Sequence, residues 1–220
     1  MSNFIRKGGS NEPEKSISVV SGLSITFTLG QEPSEKLDTP PLIPWKDHPQ
    51  TTLEWERFSI MNRGFVEPPM KHLENRKPAA GVLILEPDLR IWAIHQAELY
   101  SSARLGFPVG RQETGLSLQA VATRETWEQT GLQIRITAWL GDFDQIVTRT
   151  RLYLAERIGG SPAACSWSNQ TLSLMPLAVL QQLPNQMLAS PVSEGLESLK
   201  NILNMTHAME GISDKDLIQR

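Results

Sequence analysis

The sequence predicts an α/β domain of the α+β type behind an N-terminal extension. Three observations carry this. Two apolar, β-rich runs are separated by a turn-forming break, a stretch free of glycine and proline lies between Ser117 and Gly131, and a proline-rich segment precedes both. Residues 1–16 are polar, with Gly8, Gly9, Ser10 and several charges, and read as a mobile tail. From Leu23 the apolar Leu23, Ile25, Phe27 and Leu29 alternate with Ser24, Thr26 and Thr28, which predicts a strand between Gly22 and Gly30. The prolines of TPPLIPWKDHP remove backbone donors and hold the chain extended, as in a strap laid over a neighbouring surface. Residues 1–77 are thus an extension, in which Trp45 and Trp55 are expected to cover the core of the main domain.

The main domain is expected over residues 78–205, with a tail over 206–220. Residues 81–86 (GVLILE) and 90–95 (RIWAIH), broken by Pro87, Asp88 and Leu89, predict an antiparallel hairpin. A helix follows, with Ser117 as N-cap and Gly131 as its stop. Residues 132–140 and 147–158 predict two more strands, the second ending at Gly159 and Gly160. A short strand near 171–174 and helices near 177–183 and 193–203 complete the domain.

Composition narrows the function classes. Of the 220 residues 40% are hydrophobic and 20% charged, near globular averages, which excludes a fibrous or wholly disordered chain. The net charge of −3 gives no basis for general nucleic-acid binding or attachment to an anionic membrane. No apolar run approaches the roughly 20 residues of a membrane span. The opening MSNFIRKGGSNEPEKS has no apolar segment behind its basic residues, so the expected location is cytoplasmic. Cys165 is the one cysteine, which excludes an internal disulfide and a thiolate zinc cage, and it is expected as a small buried hydrophobe.

The helix between Ser117 and Gly131 carries the chemical signal. Leu118, Val121 and Ala122 share one stripe, and the same stripe continues through Glu125, Glu128 and Gln129. Acids in line with a core face point toward a cleft, although an Arg124–Glu128 pair on a solvated face is the plainer alternative. Two carboxylates and an amide oxygen on one patch are hard ligands suited to Mg²⁺, which completes its shell with water and substrate phosphates.

The segment FPVGRQETGLSLQAVATRETWEQTGL resembles the Nudix hydrolase box, G-x5-E-x7-R-E-U-x-E-E-x-G-U with U apolar. Gly110, Arg124, Glu125, Glu128, Gly131 and Leu132 occupy six of its nine specified positions. The resemblance implies an α/β/α sandwich with a mixed sheet. It further implies Mg²⁺- or Mn²⁺-dependent hydrolysis of a diphosphate in a nucleoside diphosphate linked to another moiety, of the ADP-ribose or dinucleoside polyphosphate type. By carry-over Glu125 and Glu128 are metal ligands with Gln129 as a third, one of the helix carboxylates or another nearby acid is the general base, Arg124 orients the glutamates, and Gly110 allows a tight loop.

Three positions depart from the box. Leu116 replaces the first glutamate, Thr126 an apolar residue, and Gln129 the last glutamate. The amide keeps an oxygen but loses a charge, so weaker metal binding is expected. Ser168 follows Trp167 where some bacterial Nudix proteins carry glutamate. Glu113, Asp142, Asp144 and Glu156 are candidate substitutes. These departures motivate the alternative reading, a catalytically impaired Nudix fold serving as a nucleotide-binding or protein-interaction module.

Arg149, Arg151 and Tyr153 share one side of a predicted strand and, with Arg111, are candidate substrate contacts, although exposed strand charges are the plainer reading. His95 is expected as a structural histidine. The expected partner is a small nucleotide-type substrate, with a homodimer left open.

Overall fold

The computed structural model describes residues 24–31, 33, 37, 40–61, 65–98, 101–165 and 171–210. The tail expected over 1–16 and the Trp167-Ser168 pair lie outside them. The strands are β1 (Ile25–Thr28), β2 (Lys77–Leu85), β3 (Arg90–Glu98), β4 (Ser101–Gly106), β5 (Val109–Arg111), β6 (Leu132–Asp144), β7 (Thr148–Gly160) and β8 (Thr171–Pro176). The helices are α1 (Thr52–Met61), α2 (Leu118–Thr130), α3 (Leu177–Leu180) and α4 (Val192–Glu210).

The strands form one mixed sheet in the order β1-β8-β3-β2-β7-β6, with β4 on β3 and β5 on β2. The β2–β7 pair is parallel and the other pairs are antiparallel. Both faces of the sheet are covered, which explains why β2 reads as a nearly continuous apolar run. Its Ala80, Val82 and Ile84 join Tyr153 of β7 and Ala120, Val121 and Ala122 of α2 on one face. Leu83 joins Leu152 of β7 and Leu196 and Leu199 of α4 on the other. The fold is therefore a mixed α+β sandwich, as the sequence predicts. Among the described residues no helix is long and apolar enough to cross a membrane.

The extension is built into this core. β1 adds an edge strand to β8, with Ile25 opposite Leu174. Trp45 and Trp55 are 8% and 4% exposed and meet edge to face at 5.8 Å. The α1 helix was not expected from the sequence, yet its start is a reciprocal cap. Thr51 Oγ1 accepts from the Glu54 amide at 3.3 Å, and Glu54 Oε2 accepts from the Thr51 amide at 3.0 Å. Further along, Arg157 donates to Glu86 at 2.6 Å and to the Pro40 carbonyl at 2.7 Å, while Trp92 Nε1 donates to Glu86 at 2.7 Å. This pair is fully buried, and the strap residue Pro40 supplies one of the acceptors its desolvated guanidinium requires.

Other elements differ from expectation in length or presence. Strands β4 and β5 are additions, and β6 and β7 run further than 132–140 and 147–158. α3 is shorter than 177–183, and α4 continues to Glu210, past the boundary placed at 205. Cys165 is buried, as expected, and in no disulfide, with its thiol donating to the Glu128 carbonyl at 3.2 Å.

Candidate active site

The α2 helix is held at both ends. Ser117 Oγ accepts from the Ala120 amide at 3.2 Å, and the Ser117 amide itself donates to Glu56 Oε2 of α1 at 2.9 Å, so the extension completes the cap. Gly131 ends the helix at φ 72°, and a Cβ there would stand 2.2 Å from the Ser161 carbonyl. One flank of the helix packs under the extension, where His48 stacks on Trp127 with ring centroids 3.6 Å apart. This fixes the rotation of α2 and turns its acids toward β5.

Gly110 lies in β5 rather than in a tight loop, and it is required for a different reason. A Cβ at this position would sit 2.0 Å from Glu125 Cδ, so the carboxylate of Glu125 rests directly on the glycine backbone. Gln129 Nε2 donates to Glu125 Oε2 at 2.8 Å and to the Val109 carbonyl at 2.9 Å. Both partners only accept, so the group between them is the amide NH₂. Gln129 therefore presents nitrogen to Glu125, not the oxygen expected of a metal ligand. The Val109 carbonyl is a site atom that residue types do not reveal.

Arg124 gathers three acids. It binds Glu113 through two bonds of 2.7 and 3.0 Å and approaches Glu125 at 3.5 Å and Glu128 at 3.4 Å. The bonds that Arg124 donates to Glu113 raise the Arg124 pKa above its usual value and hold the Glu113 carboxyl below its usual range. Burial pushes the Glu128 carboxyl up, opposed by Arg124 and assisted by its acidic neighbours Glu125 and Glu113. Glu113 is thus the candidate substitute that the structure brings to the box acids. Asp142, Asp144 and Glu156 pair instead with Arg151, Arg149 and Arg135.

The departures from the box have local causes. Leu116 is 4% exposed and belongs to the core under α1 and α2, where a glutamate would be desolvated. Thr126 is fully buried, and its hydroxyl donates to the Ala122 carbonyl at 2.7 Å, which satisfies it.

The four expected substrate contacts separate. Arg111 is exposed on β5, and Arg149 is half-buried beside Asp144 at 2.6 Å. Arg151 is 1% exposed; it donates to both oxygens of Asp142 at 2.7 and 2.8 Å and to the Pro68 carbonyl at 2.6 Å. Tyr153 is buried and its hydroxyl donates to Glu67. Burial and this bond push the Tyr153 hydroxyl pKa far up. Arg151 and Tyr153 therefore brace the extension against the sheet in this structure, where the sequence reading placed them against substrate. His95 is half-buried, with Nε2 at 2.7 Å from Ser173 Oγ, in keeping with a structural role.

No curated protein sequence matches the chain. Similar solved structures include a NUDIX hydrolase from Nitrosomonas europaea at 13% identity and a TM-score of 0.47, covering 57% of this chain and 89% of that one. A MutT protein from Methanosarcina mazei Go1 is similar at 16% identity and 0.46, covering 59% and 97%. A further Nitrosomonas europaea NUDIX hydrolase is similar at 21% identity and 0.47, covering 64% and 76%. The NUDIX domain family model matches residues 75–192, more than half of the 220, and its span contains Gly110, the Arg124 cluster and Gly131. The chain belongs to the Nudix family.

Proposed function

We propose that the protein is a divalent-metal-dependent hydrolase of a diphosphate linkage in a nucleoside diphosphate joined to another moiety, of the ADP-ribose or dinucleoside polyphosphate type. The observation that supports this most is the acid excess around Arg124, where Glu113, Glu125 and Glu128 surround one guanidinium. Among the described residues no group of three or more His, Cys, Asp or Glu side chains forms a metal cage. Mg²⁺ is bound through one or two carboxylates together with substrate phosphates, and Glu125 and Glu128 are the pair that would serve. The donor set fits in a second way. Glu125 Oε2 and the Val109 carbonyl already converge on the electropositive NH₂ of Gln129.

Glu125 and Glu128 would hold the cation, with Gln129 beside them. A bound Mg²⁺ or Mn²⁺ supplies the charge that polarises phosphoryl oxygens and favours attack by water. One of the helix carboxylates, or Glu113 beside them, would take the proton of the attacking water. Arg124 fixes the three carboxylates in orientation, and Gly110 lets Glu125 approach β5. The exposed Arg111 and the half-buried Arg149 would meet substrate phosphate.

One observation favours a second reading, a Nudix-fold module that binds without turnover: Gln129 supplies an amide where the family pattern has a carboxylate. A panel of diphosphate-linked compounds, assayed with Mg²⁺ or Mn²⁺, separates the two. Turnover by the native protein that is lost in Glu125→Gln supports the hydrolase. Turnover gained only in Gln129→Glu, with ligand-dependent melting of the native protein, supports the module.

A further inference from the structure

A small cavity of about 150 Å³ lies beyond the acid cluster, at the start of α2, and its chemistry is opposite in sign. Lys71, His72 and Arg76 from the extension and its junction with β2, together with Arg149 of β7 and Gln112, line it. Met70, Leu73, Pro78 and Leu118 complete its wall. Among the described residues no carboxylate lines it; Asp144 stands behind Arg149 and holds its NH1 at 2.6 Å. Arg76 NH1 is fixed on the Gln145 carbonyl. Both guanidinium groups are therefore anchored at one nitrogen. The Nε of Arg149 is buried and has no hydrogen-bond partner, which is unusual for a charged donor. Three permanent cations in a small concave site with a buried donor lacking an acceptor attract a compact oxyanion.

Register places this cavity and the acids on the same face of β2. On β2, Pro78 lies opposite Arg149 and Ala80 opposite Gly110, the residue on which Glu125 rests. Pro78 and Ala80 share one face of β2 about 7 Å apart, with Arg149 on β7 and Gly110 on β5 flanking its opposite edges, so the cavity and the acids lie on the same face of the sheet across one strand. We infer that the cavity is a subsite for a second phosphoryl group of the substrate, one removed from the group at Glu125 and Glu128. This role in turnover rests on the hydrolase reading, whereas binding of phosphate does not. The extension is then part of substrate recognition, through Lys71 and His72.

The test begins without metal. Inorganic phosphate is titrated into the full chain by calorimetry in EDTA at low ionic strength, so that no cation at the acid cluster contributes. Saturable binding is expected, weakened about tenfold or more in Lys71→Glu, the loss of one charge-assisted hydrogen bond. Lys46→Glu, at an exposed lysine in another cleft, serves as the control and should leave affinity unchanged. Absence of saturable binding, or equal affinity in Lys71→Glu and Lys46→Glu, overturns the site. With Mn²⁺ and a cleaved compound, competitive inhibition by phosphate supports the subsite and noncompetitive inhibition overturns it. If no compound is cleaved, the hydrolase reading fails while the EDTA titration still decides whether phosphate binds.

Discussion

Arg124 and Arg151 are both arginines among acids, and the contrast between them separates chemistry from architecture. Arg151 is 1% exposed and is matched by Asp142, the Pro68 carbonyl and a more distant Glu67, with Trp139 beneath it at 5.7 Å. Arg124 faces three carboxylates, two of which keep 62% and 40% of their side-chain surface. A buried ion pair must be near balance, because desolvation penalises any charge left over. An acid excess survives at Arg124 because water reaches it, and that excess is what an arriving cation can complete. The lesson is that solvent access of the acids, rather than the presence of arginine, sets the proposed reactive cluster apart.

The contrast can be broken by substitution. Glu128→Gln should lower metal-dependent turnover by about 10²–10⁴-fold with little change in melting temperature, the scale of a lost acid–base group. A large stability loss without a kinetic one would erase the distinction. Arg151→Met should do the reverse, costing about 3 kcal/mol in urea denaturation because the largely desolvated Asp142 loses its cation and keeps only the Trp139 Nε1 bond at 3.3 Å. Gly110→Ala tests placement alone: its Cβ displaces the Glu125 carboxylate, and turnover should fall about 10²-fold, as for a 1 Å misplacement. Gln129→Glu should have the smallest effect, tightening Mn²⁺ binding about tenfold as read by electron paramagnetic resonance. In metal-free buffer the same variant should melt earlier, since two carboxylates then face each other at the Val109 carbonyl.

Much of this was legible in the sequence, for identifiable reasons. The hairpin of β2 and β3, the α2 caps and the strand alternation of β6 and β7 are local signals, and each element formed where its pattern lay. The box spacing located Glu125 and Glu128 on one helix face. What escaped was set by tertiary partners. α1 carried a Thr-x-x-Glu start in TTLE, which could have revealed it within the proline-rich extension. The Val109 carbonyl carries no residue-type signal, and the direction of the Gln129 amide depends on it. Arg151 and Tyr153 had the chemistry of substrate contacts, but Glu67 and Pro68, more than eighty residues earlier, engage them first.

The extension also bears on where this protein can be cut. A chain beginning at residue 75 would retain the whole stretch that the family model matches. It would also strip β8 of its edge partner, deprive Arg157 of the Pro40 carbonyl and Tyr153 of Glu67, and uncover Trp127. Limited proteolysis in the native state should therefore spare residues 40–61, and a truncated chain should associate through the exposed strand edge. The unit that can be recognised is smaller than the unit that can stand alone.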